Sequence, residues 1–202
     1  MTITYRDSAP ASALSEFEER CKAFKVRLQS EDFLRNRGLG NEVGIYTFCY
    51  DPRLKAEARR FLDRLKGDPS LPCRIREANL YDILLDICAD KRILDAVPKM
   101  EEKRGREQLK KRLSSVASAE AFAKRISAEE NVPGDVLVIT GVGEVYPFMR
   151  VHNVLDNIQH LFENTPVVTP VVVMYPGRFD GQTLSLFGKL TDGNYYRAFD
   201  LI

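Results

Sequence analysis

Apolar positions along this chain follow two periods, one helical and one strand-like, and the periods alternate. Leu14, Phe17, Cys21, Phe24 and Leu28 are spaced three, four, three and four apart, the seam of a helix predicted over 11–29. Ser30 is a suitable N-cap for a second short helix, with Glu31 and Asp32 in its electropositive first turn. Arg35 and Arg37 sit at its far end and Gly38 terminates it. Gly44 to Tyr50 is rich in aromatic and β-favouring residues and predicts a strand. Asp51-Pro52 then starts a helix in which Leu54, Ala58, Phe61, Leu62 and Leu65 form the apolar stripe, closed by Gly67. Cys73 to Ala78 predicts a polar strand, and Asn79 caps a helix with Leu80, Ile83, Leu84, Ile87 and Cys88 on its inner face.

Residues 90–130 read as helical, with an interruption near Pro98. The stripe there (Leu109, Leu113, Val116) is thin, which predicts a helical insertion with a solvated face. Asp135 to Thr140 is a continuous apolar run, the mark of a buried parallel strand. After Gly141-Val-Gly143, Phe148, Val151, Leu155, Ile158 and Phe162 recur at helical spacing, with Pro147 at the helix start. Pro170 to Tyr175 is another buried strand, closed by Pro176-Gly177. Thr183 to Leu190 alternates, Asp192-Gly193 signals a hairpin turn, and Tyr195 to Ile202 is the last strand. Strand–helix alternation predicts an α/β fold: a mainly parallel sheet flanked by helices, Rossmann-like and three-layered, with a C-terminal antiparallel hairpin. We expect one domain over 1–202, with an N-terminal helical arm at 11–37 and the insertion at about 90–130.

Composition narrows the function classes. The 202 residues carry 30 basic and 29 acidic side chains, so the whole chain is not a polyanion binder of the histone kind. The balance hides a split: residues 1–125 are net +6 and 126–202 net −5. Lys99 to Arg125 alone holds 9 basic and 4 acidic residues, a solvated face or, in the minority reading, a DNA or acidic-protein contact. No apolar run approaches a membrane span, and Arg6 and Asp7 interrupt the place of a signal peptide, so a cytoplasmic protein is expected. Cys21, Cys49, Cys73 and Cys88 are all single and only two histidines are present, which disfavours a paired-ligand zinc site.

Ligands of open α/β sheets bind beyond the carboxyl ends of the strands. Those ends carry Asp51, Asn79, Gly141 to Glu144, and Tyr175 to Asp180. Gly141-Val-Gly143 lets a backbone approach a phosphate or makes a tight structural turn; Tyr146 stands where a dinucleotide fingerprint needs glycine, and Glu144 opposes an anion. No P-loop and no G-x-S-x-G is present. His152 and His160, with Arg150 on the same predicted helix, lie more than two turns apart along the axis and cannot share a metal. His152 lacks an evident orienting acid and reads as a polar or interface residue rather than a base. No catalytic set, metal or cofactor is expected.

Several phrases belong together. They are Thr140-Gly-Val-Gly-Glu-Val-Tyr-Pro-Phe-Met-Arg-Val-His152, Tyr175-Pro-Gly-Arg-Phe-Asp-Gly-Gln182, Leu186-Phe-Gly-Lys-Leu190 and Asn194-Tyr-Tyr-Arg-Ala-Phe199, with Phe33 to Gly40 and Phe48 to Pro52 upstream. In this order they resemble the BrxB family of bacteriophage exclusion (BREX) defence systems, from about residue 30 to the end. The resemblance implies a small cytoplasmic component of an anti-phage system that also carries a large ATPase, a phosphatase-like protein and a DNA adenine methyltransferase. The family brings no assigned catalytic residues, so the motifs are expected to mark a partner or ligand surface. Its candidates are Gly141, Gly143, Tyr146, Phe148, Arg150 and His152 in the first phrase. Tyr175, Gly177, Arg178, Phe179 and Asp180 come from the second, and Tyr195, Tyr196 and Arg197 from the last. The implied role is an adaptor. The alternatives are a degenerate nucleotide-binding domain near Gly141 and Gly177, and DNA contact through 99–125.

Overall fold

A computed structural model describes residues 9–36, 44–128, 132–162, 169–194 and 198–202. Among the described residues there are seven strands: β1 (Ile45–Tyr50), β2 (Arg74–Asn79), β3 (Asp135–Thr140), β4 (Val171–Phe179), β5 (Thr183–Leu186), β6 (Leu190–Asn194) and β7 (Ala198–Asp200). Eight helices accompany them: α1 (Ala11–Leu28), α2 (Glu31–Leu34), α3 (Lys55–Lys66), α4 (Leu80–Asp90), α5 (Val97–Val116), α6 (Ala119–Ser127), α7 (Val142–Val145) and α8 (Val151–Phe162). Five strands form a parallel sheet in the order β2-β3-β4-β1-β7.

The strand alternation explains the layers. In β3, Val136 and Val138 face one core while Leu137 and Ile139 face the other; β4 repeats this with Val172 and Met174 against Val171, Val173 and Tyr175. The first core receives the stripes of α1 and α3, and the second those of α4, α6 and α8. Both faces are buried, as parallel sheets require. Leu14 is 38% exposed because the aromatic cluster that α1 covers begins one turn later, at Phe17.

The caps form where the sequence places them. Ser30 accepts from the Phe33 N–H, Asp51 from Arg53, and Asn79 from Tyr81 and Asp82. Four details differ from expectation. Pro98 lies in the first turn of α5, where its missing N–H costs nothing, and the break falls instead at Gly105 with φ +76°. Pro147 does not open α8: the Phe148 and Met149 N–H groups turn back to the Val145 carbonyl, so the helix begins at Val151 and Arg150 precedes it. β4 continues through Pro176-Gly177 to Phe179, because β5 supplies an antiparallel partner there. The antiparallel hairpin is β5–β6, turning at Phe187 and Gly188, both at positive φ; Asp192-Gly193 lies inside β6, and β7 pairs parallel with β1. Arg37, Gly38 and residues 195–197 lie outside the described residues.

The amino ends of β2 and β3 are joined by Asp135, which is 2% exposed. Its carboxylate accepts two bonds from Arg74 (2.8 and 2.6 Å) and one from the Val132 N–H (3.1 Å). The Arg74 bond holds the Asp135 carboxyl below its ordinary 3.8, against the desolvation that raises it. A depressed folded pKa stabilises above the unfolded value and loses that stabilisation as pH falls through the folded one. Asp135→Asn is therefore expected to lower the urea midpoint at neutral pH, with a difference from the parent that narrows below about pH 4. A difference that stays constant down to about pH 2 would contradict this assignment.

Candidate functional site

At the carboxyl ends of β1 and β4 the chain encloses an open cleft of about 1000 Å³. Its walls come from four places. β1 ends in Cys49-Tyr50-Asp51, β4 supplies Gly177-Arg178-Phe179, and the β5–β6 turn supplies Phe187 to Lys189. α1 forms the outer wall with Phe17 and Arg20.

Most of the charge here is organised. Asp51 stops β1 by accepting the Arg53 N–H, and the Arg53 guanidinium folds back onto both carboxylate oxygens at 2.7–3.2 Å. That side-chain bond, aided by the charge of Arg178, holds the Asp51 carboxyl below its ordinary value. Arg20 lies over the Phe48 ring and reaches Asp200 at 3.3 Å, joining α1 to β1 and β7. Burial pushes the Cys49 thiol up to about 12, so it is a protonated wall group and not a nucleophile. Burial, with the nearby Glu144 charge, also raises the Tyr50 phenol. Arg178 and Lys189 are exposed and form no ion pair among the described residues.

The cleft exists because β4 overruns the parallel sheet. Gly177 permits this: a Cβ there would enter the Ser185 carbonyl oxygen across the β4–β5 ladder. Asp180 closes the next turn by accepting from the Gln182 and Thr183 N–H groups (2.9 and 2.6 Å), which lower its pKa. The turn itself occupies Asp180.

A second, smaller groove of about 460 Å³ lies between the end of α5, the start of α6 and the start of α8. Phe148 and Arg150 line it with Asn153 and Asp156. The Ser114 hydroxyl donates to the Phe148 carbonyl at 3.1 Å, pinning the approach to α8. The two concavities share no lining residue.

The sequence candidates therefore separate. Gly177, Arg178 and Phe179 line the cleft, and Phe148 and Arg150 line the groove. Gly141 caps α7 at φ +72°, and the place of its Cβ is filled by Asn79 and the Tyr81 backbone. Gly143 packs closely on Phe187 and Pro176. Both glycines serve packing, as the tight-turn alternative expects. Tyr175 is fully buried, and so belongs to the core beneath α8 rather than to a surface. Tyr146 is half-buried against the same core, and His152 is half-buried on α8. Tyr195, Tyr196 and Arg197 lie outside the described residues.

Arg20, Arg53 and Lys189 are cleft residues that sequence reasoning missed. Asp51 and Arg178 were visible as strand-end residues. Arg20 reaches the same place from 158 positions before Arg178, a contact no local pattern encodes. Its only signal is that it directly precedes the seam residue Cys21. Among the described residues no group of three or more His, Cys, Asp or Glu is placed to hold a metal ion, and no helix is long and apolar enough to cross a membrane.

A family model described as "BREX protein BrxB" matches residues 76–201. A BREX protein BrxB of Bacillus cereus (strain H3081.97) is 36% identical over 197 residues, covering 94% of this chain and 99% of the relative. One from Escherichia coli O9:H4 (strain HS) is 29% identical over 190 residues, covering 92% and 91%. No solved structure matches significantly. The β4 and hairpin side of the cleft and the whole groove fall within the span matched by the family model, and the chain belongs to the BREX protein BrxB family.

Proposed function

We propose that this chain is a non-catalytic, cytoplasmic component of a BREX-type phage-defence system, an adaptor that bridges larger defence proteins. The observation that carries the reading is the separation of the arginine–aromatic pairs. Arg178 and Phe179 border the cleft, whereas Phe148 and Arg150 border a groove with no residue in common. Arg and aromatic residues are the usual anchors of protein interfaces. A bridging protein needs two such places that can be occupied together. The large ATPase and the phosphatase-like protein are the first partners to test, and the DNA adenine methyltransferase the third.

The test is affinity capture from nuclease-treated lysate after co-expression with the neighbouring defence proteins. The expected result is a stoichiometric complex. Arg178→Glu is expected to release one partner at least about tenfold, and Arg150→Glu the other. Protection against phage should fall in both variants while Tm stays within about 2 °C of the parent, since Arg178 and Arg150 are exposed. A lone monomer or dimer would sink the adaptor reading, and loss of the same partner in both variants would sink the two-place version of it.

A further inference from the structure

The larger cleft combines features that interface anchors alone do not explain. The first is its position. The chain leaves β1 toward the face covered by α3 and leaves β3 toward the face covered by α7 and α8. β4 lies between β3 and β1. The winding therefore changes direction at the carboxyl end of β4, where open α/β sheets leave a crevice for a ligand. The cleft occupies that place, and its volume is at the upper end of what small-molecule sites use.

The second feature is an ordered division of chemistry. Arg178 and Lys189 are lining cations without an ion-pair partner among the described residues. Tyr50 is a half-buried lining ring, edge-on to Phe17, whereas the rings of Phe179 and Phe187 pack on the opposite core. The Asp51 carboxylate, held ionised by Arg53, is an acceptor at its floor. Phe187 has φ +56°, a conformation costly for a bulky residue, and its ring is held there against Gly143 and Pro176. Strain of this kind gathers at ligand sites.

We infer that this cleft binds a nucleoside phosphate: the phosphates on Arg178 and Lys189, the base against Tyr50, and sugar hydroxyls toward Asp51. An acidic peptide fits less well, because Glu16, Asp51 and Asp200 also line the cleft and would repel an evenly charged chain. A ligand with its charge at one end and hydroxyls and a flat ring at the other meets no such conflict. The Gly141 turn takes no part, since packing fills it. The inference shares the cleft and Arg178 with the docking reading, and isolated protein tests it without any partner.

The experiment is calorimetric titration and thermal unfolding of the purified full chain with ATP, ADP, AMP and GTP, with and without magnesium, and with inorganic phosphate as a probe of the anion site alone. At least one nucleotide is expected to raise Tm by about 5–10 °C at 100 times its Kd. Arg178→Ala/Lys189→Ala is expected to weaken that nucleotide about tenfold or more without changing the ligand-free Tm, because both residues are exposed. Tyr50→Leu is expected to weaken the nucleotide and leave phosphate unaffected. No response to any nucleotide at millimolar concentration would overturn the inference. So would phosphate binding as tightly as the nucleotide, or undiminished affinity in the double variant. A negative result here leaves complex formation untouched, and a failed capture leaves this result untouched.

Discussion

Gly177→Val is expected to lower Tm by about 6–12 °C, the equivalent of about 3 kcal/mol in a chain of this size. The reason is contact with backbone. A Cβ at Gly177 would overlap the Ser185 carbonyl oxygen and press on the Tyr175 ring. Neither can yield cheaply, because Ser185 lies opposite Arg178 in the β4–β5 ladder and Tyr175 is wholly buried. β5 must separate from β4, and with it go the Phe187–Lys189 turn and one wall of the cleft. Gly181→Ala is the matched control: it lies at φ +92° with no atom within 4 Å of its Cβ, so its cost is conformational and about 1 kcal/mol. Equal losses in the two variants, read from urea unfolding, would refute close approach as the reason for glycine at 177.

The same residue shows where sequence reasoning stops. Pro176-Gly177 reads as the end of a strand, since proline lacks a ladder donor and glycine favours turns. In the structure the Pro176 carbonyl accepts from the Phe187 N–H at 2.8 Å, and glycine serves the close approach of a partner strand. The next turn, from β5 into β6, falls at Phe187-Gly188, and a phenylalanine at positive φ is a conformation sequence propensity argues against. Asp192-Gly193 is the stronger hairpin signal by composition and lies within β6. By contrast, the stripes of α3 and α4 were fully legible. Each is amphipathic and packed against a sheet whose two buried faces follow the strand alternation; Asn79 caps α4, and Asp51 caps the 3-10 turn (Pro52–Leu54) that leads into α3. Local signals fixed these elements because local and tertiary preferences agree there. The cleft was legible only in half: its β1 and β4 residues follow from the rule about strand ends, while α1 and the hairpin arrive through contacts far apart in sequence.

The α1 wall gives the second large effect. Phe24→Ala is expected to destabilise by about 3–5 kcal/mol. Phe24 is fully buried, with its ring centroid 5.2 Å from that of Phe48 and 5.7 Å from that of Phe61. Phe17 reaches the same rings edge-on at 6.0 and 6.4 Å. These four rings are the main attachment of α1 to β1 and α3. The polar ties, Arg20 to Asp200 and Lys25 to Asp68 at 2.6 Å, are partly solvated and screened, so they add little beside the rings. Removing Phe24 therefore releases α1 before the sheet. Hydrogen exchange should rise first across residues 11–28, while β3 and β4 keep their protection until global unfolding. Val26→Ala, on the same helix but 66% exposed, should change stability by about 0.5 kcal/mol or less. Because Phe17 and Arg20 line the cleft from this helix, the loosened protein should also bind the proposed nucleoside phosphate more weakly at temperatures where the sheet is intact. A Phe24→Ala protein with parental exchange across α1 would mean that the aromatic cluster does not hold the helix, and that the cleft wall is secured by its ion pairs instead.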